Sequence, residues 1–182
     1  MERVPLTALN TMPAEDAVAL LGGVFEHSPW IVAQTWPQAP FDSLDSLHRA
    51  LVETVDAAPA NRQIDLIKAH PDLVGRAARA GTLTRESTAE QGAAGLGPDN
   101  LTPADVAAFN DLNAAYKARF GFPFVICARE NRKASILAGF EARLPNDPET
   151  EQLAALREIA RIAWYRLVDL VEDDLTSVPT TG

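Results

Sequence analysis

The sequence predicts an all-α protein, a single domain of seven or eight helices with one short, buried extended segment. Three observations lead there. Apolar residues recur at three- and four-residue steps along most of the chain, and combinations of hydroxyl, proline and acid mark helix starts. The one strand-like run, Phe122-Pro123-Phe124-Val125-Ile126-Cys127, contains a proline and has no second run to pair with. With 182 residues, 47% of them hydrophobic, the chain can bury about 70% of its unfolded surface in one core.

Helix starts are expected at Thr11 before Pro13 and Glu15, at Ser28 before Pro29, and at Thr102 before Pro103 and Asp105. From Thr102, Val106, Phe109, Leu112, Tyr116 and Phe120 keep helical spacing, and Gly121 follows as a stop. Further helices are expected at about 43–56, 60–69, 87–95, 131–143 and 149–173, the last with Leu153, Leu156, Ala160, Ala163, Leu167 and Leu170 on one stripe. The core spans about 10–171, with a flexible tail expected from Thr176. Five of the ten glycines fall between 75 and 97, which suggests a permissive binding loop there.

Charge and composition exclude several functions. Sixteen Lys and Arg face 25 Asp and Glu, and a net charge of -9 repels a phosphate backbone, so no nucleic-acid partner is expected. The first ten residues hold no apolar run of the secretory type, no stretch is apolar enough to span a membrane, and the last three are not a peroxisomal signal. A cytoplasmic location is the expectation. Cys127 is the only cysteine, so neither an intrachain disulfide nor a thiolate metal cage is available, and three scattered histidines lack the spacing of a zinc site.

A few residues stand out as possible chemistry. His70 precedes Pro71, which places its imidazole at the end of a helix, where it serves either as an acid/base group or as a cap on the last carbonyls. His48 is expected at the surface, and His27 is compatible equally with a chemical role and with a packed turn. Ser87-Thr88-Ala89-Glu90-Gln91 has the spacing of a capping box, and equally of a helix N-terminus offering amides to a polar ligand. Arg161, three residues from Glu158, belongs on a solvated face. Arg166 interrupts the apolar edge made by Ile159, Ile162 and Leu170, where a buried guanidinium needs an anion or must snorkel. Cys127 lies in an apolar run that keeps a thiol inert, which disfavours a cysteine hydrolase.

Several segments, in order and spacing, resemble the family of 2-oxo-4-hydroxy-4-carboxy-5-ureidoimidazoline (OHCU) decarboxylases. They are Phe25-Glu26-His27-Ser28-Pro29-Trp30, Ala69-His70-Pro71-Asp72-Leu73, Ser87 through Gln91 with Ala94-Gly95-Leu96, and Phe120-Gly121 through Ile126, followed by Glu158-Ile159 and Arg166-Leu167. The resemblance runs from about Asn10 to Val171. It implies an all-α homodimer that converts a ureidoimidazoline to (S)-allantoin with neither metal nor organic cofactor. It further implies His70 as the acid/base group, with Glu90 and Arg166 as its polar partners. Pro71, Ser87, Thr88, Ala89, Glu90 and Gln91, together with Phe122, Pro123, Phe124, Val125 and Ile126, would hold the substrate, the last two segments largely by backbone groups. The alternative is an all-α ligand-binding or protein-interaction module in which His70 and Glu90 are helix caps.

Overall fold

Thr102 sets the clearest helix start in the chain. Its hydroxyl accepts from the Asp105 amide at 3.1 Å while the Asp105 carboxylate accepts from the Thr102 amide at 2.8 Å, and Pro103 sits in the first turn, where no amide donor is needed. The computed structural model describes residues 3–75 and 80–175, so the tail expected from Thr176 lies outside the described residues. Among these residues there are nine α-helices: α1 Leu6–Leu9, α2 Ala14–Leu21, α3 Trp30–Thr35, α4 Leu44–Asp56, α5 Ala60–Ala69, α6 Arg85–Ala93, α7 Pro103–Phe120, α8 Lys133–Arg143 and α9 Pro148–Leu170. A parallel pair of two-residue strands, β1 Val4–Pro5 and β2 Val171–Glu172, joins the two ends of the chain in register Val4 to Val171. The fold is therefore all-α in essence, as expected, and the last helix stops at Leu170 rather than 173 because the chain there turns to pair with β1.

By their contacts the residues form two compact units, one made of residues up to 66 and from 163 onward, the other of residues 67–162. In the first, α4 begins at a Ser43–Ser46 capping box and buries Leu44, Leu47, Ala50, Leu51 and Val55, the i, i+3, i+7 stripe of an amphipathic helix. Leu6, Leu9, Leu21, Ile31 and Leu167 are fully buried there as well. Asp174 accepts from both the amide and the hydroxyl of Thr7, and Asp173 accepts from the Leu44 amide at 2.9 Å, which ties down the segment after β2.

In the second unit the core is aromatic. Phe124 stacks on Phe140 with ring centroids 3.9 Å apart, and Tyr116 meets both edge-on. On α7 the buried stripe is Phe109, Asn113 and Tyr116, so a polar residue stands where Leu112 was expected. On α9 the expected stripe holds at Leu156, Ala163 and Leu167, which are buried, but Leu153 is half exposed, and Glu151, Ala155, Ile159, Ile162 and Arg166 widen the buried side.

Two other helix starts differ from expectation. The Thr11 hydroxyl donates to the Ala8 carbonyl instead of capping α2, which starts at Ala14, and Ser28 gives α3 no side-chain cap.

Candidate functional site

His70 follows the last residue of α5, its amide still bonded to the Ile67 carbonyl at 3.2 Å, and its side chain is buried. Pro71 cannot continue the helix, and the chain turns through Asp72, Leu73, Val74 and Gly75. Val74 lies in the left-handed region at φ 55°, a strained position for a β-branched residue. At Gly75 an added Cβ would come within 2.6 Å of the Asp72 Cβ, so the turn demands glycine. Side chains from two helices hold this turn. Gln91 Oε1 accepts from the Val74 amide at 3.1 Å, and Asn113 Nδ2 donates to the Leu73 carbonyl at 2.9 Å. Lys117 Nζ lies 2.6 Å from Asp72 Oδ2.

The capping-box reading of Ser87 and Glu90 is corrected. The N-cap of α6 is Thr84, whose hydroxyl accepts from the Ser87 amide at 3.2 Å, so Ser87 sits inside the first turn. Ser87, Glu90 and Gln91 are buried together on one face at i, i+3 and i+4, while Thr88 and Ala89 face solvent. Helix α6 ends where Leu96 donates to the Gln91 carbonyl and Gly95 adopts φ 77°. It packs against the short 3-10 turn Ala128–Glu130, which closes the extended segment described next.

Gly121, at φ 76°, caps α7 and lets the chain leave in extended form. Phe122, Pro123, Phe124 and Val125 are buried and Ile126 half-buried, with no strand beside them among the described residues. Side chains supply the partners a sheet would have given. Arg143 Nη1 donates to the Val125 carbonyl at 2.7 Å while its ion pair with Glu151, which is wholly buried, closes to 2.5 Å. Glu151 also accepts from the Tyr116 hydroxyl and, at 2.8 Å, from Asn146 Nδ2. Burial and the hydrogen bond to Glu151 push the Tyr116 phenol well above its ordinary range. Glu158 Oε2 accepts from the Cys127 amide at 2.8 Å. No hydrogen bond within the described residues uses the amides of Phe122, Phe124 or Ile126.

His70, the buried face of α6 and Phe122–Ile126 thus all belong to the second unit, and Arg166 to the first. Arg166 is buried, with Nη1 2.9 Å from Glu26 Oε2 and 3.1 Å from the Gly23 carbonyl. The anion that a buried guanidinium needs is therefore present in the chain, in the turn between α2 and α3. Arg161, by contrast, is exposed and pairs with Glu158 and Glu130, as its spacing suggests. His27 is exposed rather than packed, at φ 48°, because the turn sends the side chain of its neighbour Glu26 inward instead. Cys127 is buried and free, and burial pushes its thiol up to about 11. Sequence reasoning gave no individual role to Glu26, Asn113, Arg143 or Glu151. Only Asn113 carried a local signal, a polar residue four after Phe109 and three before Tyr116 on a buried stripe.

The model of the OHCU decarboxylase family matches residues 10–168. The chain belongs to this family. One relative, the 2-oxo-4-hydroxy-4-carboxy-5-ureidoimidazoline decarboxylase of Amia calva, is 41% identical over 164 residues, covering 90% of this chain and 93% of that protein. The decarboxylase of Mus musculus is 39% identical over 166 residues, covering 91% and 92%. A crystal structure of (S)-allantoin synthase superposes with a TM-score of 0.72 at 27% identity, over 93% of this chain and 54% of that one. A crystal structure of OHCU decarboxylase in the presence of (S)-allantoin shares the fold, with a TM-score of 0.64 at 19% identity over 87% of this chain and 97% of that one. Among the described residues of this family member, no helix is long and apolar enough to cross a membrane, and no group of three His, Cys, Asp or Glu could hold a metal ion.

Proposed function

We infer that this chain decarboxylates 2-oxo-4-hydroxy-4-carboxy-5-ureidoimidazoline to (S)-allantoin in urate degradation, with His70 as the acid/base group and Glu90 and Arg166 as its polar partners. The observation that carries the reading is the family match over residues 10–168, which takes in every one of these positions. That match runs through both compact units, which supports reading them as one decarboxylase domain.

The substrate explains why so few groups suffice. Its carboxylated ring carbon adjoins an imine carbon. When the bond to the carboxylate breaks, carbon dioxide leaves and the electron pair enters the ring as an enediamine. A proton then adds to the former imine carbon, and the hydroxyl on the neighbouring carbon becomes the carbonyl of allantoin. The substrate is its own electron sink, so the protein has to orient the carboxylate, exclude water and deliver one proton to one face. A buried histidine at a helix end, on a turn fixed by two side chains, suits that delivery. The Phe122, Phe124 and Ile126 amides, unused within the described residues, suit the backbone recognition assigned to Phe122–Ile126. Pro71 and residues 87–91 complete the proposed substrate contacts, and the enzyme is proposed to act as a cytoplasmic homodimer, a state that sedimentation tests directly.

Freshly generated substrate and circular dichroism test the function. The chain should produce optically active (S)-allantoin, and His70→Gln should fold normally while losing about 10² to 10⁴-fold in rate. A racemic product at the uncatalysed rate, from a folded wild-type chain, would refute the reading.

A further inference from the structure

We propose that Asn113 is a positioning residue for His70, acting through the single peptide group between Leu73 and Val74. The proposal rests on the acid/base reading of His70. Both polar atoms of that peptide are held by side chains. Its carbonyl, on Leu73, accepts from Asn113 Nδ2 at 2.9 Å, and its N–H, on Val74, donates to Gln91 Oε1 at 3.1 Å. Helix α7 and helix α6 therefore grip opposite edges of one peptide plane, three residues after His70.

The grip has a physical reason. Val74 is held at φ 55°, a conformation that its branched side chain opposes, and rotation of the Leu73–Val74 peptide is the simplest way for the turn to escape it. Such a rotation reverses the directions of the carbonyl and the N–H together, so it has to break both bonds at once. With the peptide fixed, the path of the chain from His70 through Pro71 is fixed too, since Pro71 has little freedom of its own.

Asn113 is a poor choice for stability alone. It is 4% exposed, and its Oδ1 is buried without a hydrogen-bond partner among the described residues, an arrangement that costs rather than stabilises. A residue that leaves one end unsatisfied while its other end holds the turn of the proposed acid/base group is explained by position.

Asn113→Leu keeps the branched skeleton, with bulkier methyl ends, and removes the donor together with the unsatisfied oxygen; Asn113→Asp keeps the shape but turns an acceptor toward the carbonyl. Asn113→Leu should melt within a few degrees of wild type, whereas Asn113→Asp, which sets a buried acid against a carbonyl, should lose more. Exchange of the Val74 amide, followed by NMR, should speed up at least tenfold, and kcat should fall on the order of 10²-fold with KM changed less than about threefold. Wild-type kcat and Val74 protection in either folded variant overturn the proposal. A collapse of melting temperature in both also overturns it, because the amide is then a structural support. The parent reading fails separately, through a wild-type chain with no turnover, and Val74 exchange then decides the peptide grip by itself.

Discussion

Replacing Glu26 by glutamine should be among the most destabilising single changes available in this chain. The Glu26 and Arg166 side chains are 2% and 3% exposed and 2.9 Å apart, so the pair lies where water screens little. Removing one partner of such a pair leaves a buried cation beside a neutral amide and costs about 3–5 kcal/mol. Whole-domain stabilities are about 5–15 kcal/mol, so the loss is a large fraction of the total. At about 2–4 °C per kcal/mol for a chain of this size, melting should drop by roughly 6–20 °C. Arg166→Met should cost a similar amount, yet the Glu26→Gln/Arg166→Met double variant should recover much of it, since replacing both charges together is often close to neutral. Urea unfolding of wild type, both single variants and the double variant gives the coupling directly. A loss below about 1 kcal/mol in Glu26→Gln, or strict additivity of the two changes, refutes the idea that these groups stabilise each other.

Cys127, with its thiol at about 11, should resist iodoacetamide at neutral pH in the native protein and react on unfolding, and Cys127→Ala should keep its turnover. Rapid native alkylation with loss of activity would contradict this. The bonds from Lys133 and Thr102 hold the Asp105 carboxyl at about 2, below its ordinary 3.8. Its folded value thus lies under its unfolded one, so its contribution is complete above about pH 4 and is lost as pH falls toward 2. Asp105→Asn should flatten that part of the acid-unfolding curve, and an unchanged curve would remove Asp105 from the account. Thr84→Ala should cost about 1 kcal/mol by removing the α6 cap, whereas Glu90→Gln should leave stability nearly unchanged and cut turnover. Equal loss of melting temperature and activity in Glu90→Gln would return that residue to a structural role.

How much the sequence disclosed depended on how local each cause was. Helix α5 falls at 60–69 as expected, because Pro59 and Pro71 bracket it, and α7 is set by Thr102, Pro103, Asp105 and Gly121, all within the helix or beside it. The cap of α6 was harder, since Thr84–Ser87 and Ser87–Glu90 are overlapping frames of the same short pattern. Burial of Ser87 and Glu90 on one face decides between them, and burial is tertiary. The two-residue strands carry no periodicity at all. Arg166 was recognisable as a cation on an apolar edge, but its anion lies 140 positions earlier and nothing nearby in the sequence names Glu26. Asn113 was hidden because the apolar spacing could be completed equally well by Leu112.

The buried polar groups of the second unit share a logic that the helical pattern cannot express. In an all-α fold an extended segment has no neighbouring strand, yet its buried backbone groups still require partners. Arg143 meets the Val125 carbonyl and Glu158 meets the Cys127 amide, just as Asn113 and Gln91 meet the Leu73–Val74 peptide. Arg143 can do so only because Glu151 balances its charge. Tyr116, whose phenol is pushed well above its ordinary range by burial and Glu151, donates a hydrogen bond to that carboxylate. Helices, which satisfy their own backbones, are thereby free to use side chains to fix the two irregular segments that the proposed chemistry needs. A reaction whose product is one mirror image depends on backbone and imidazole keeping fixed positions while carbon dioxide departs, and side chains anchored on α6, α7, α8 and α9 supply that fixity.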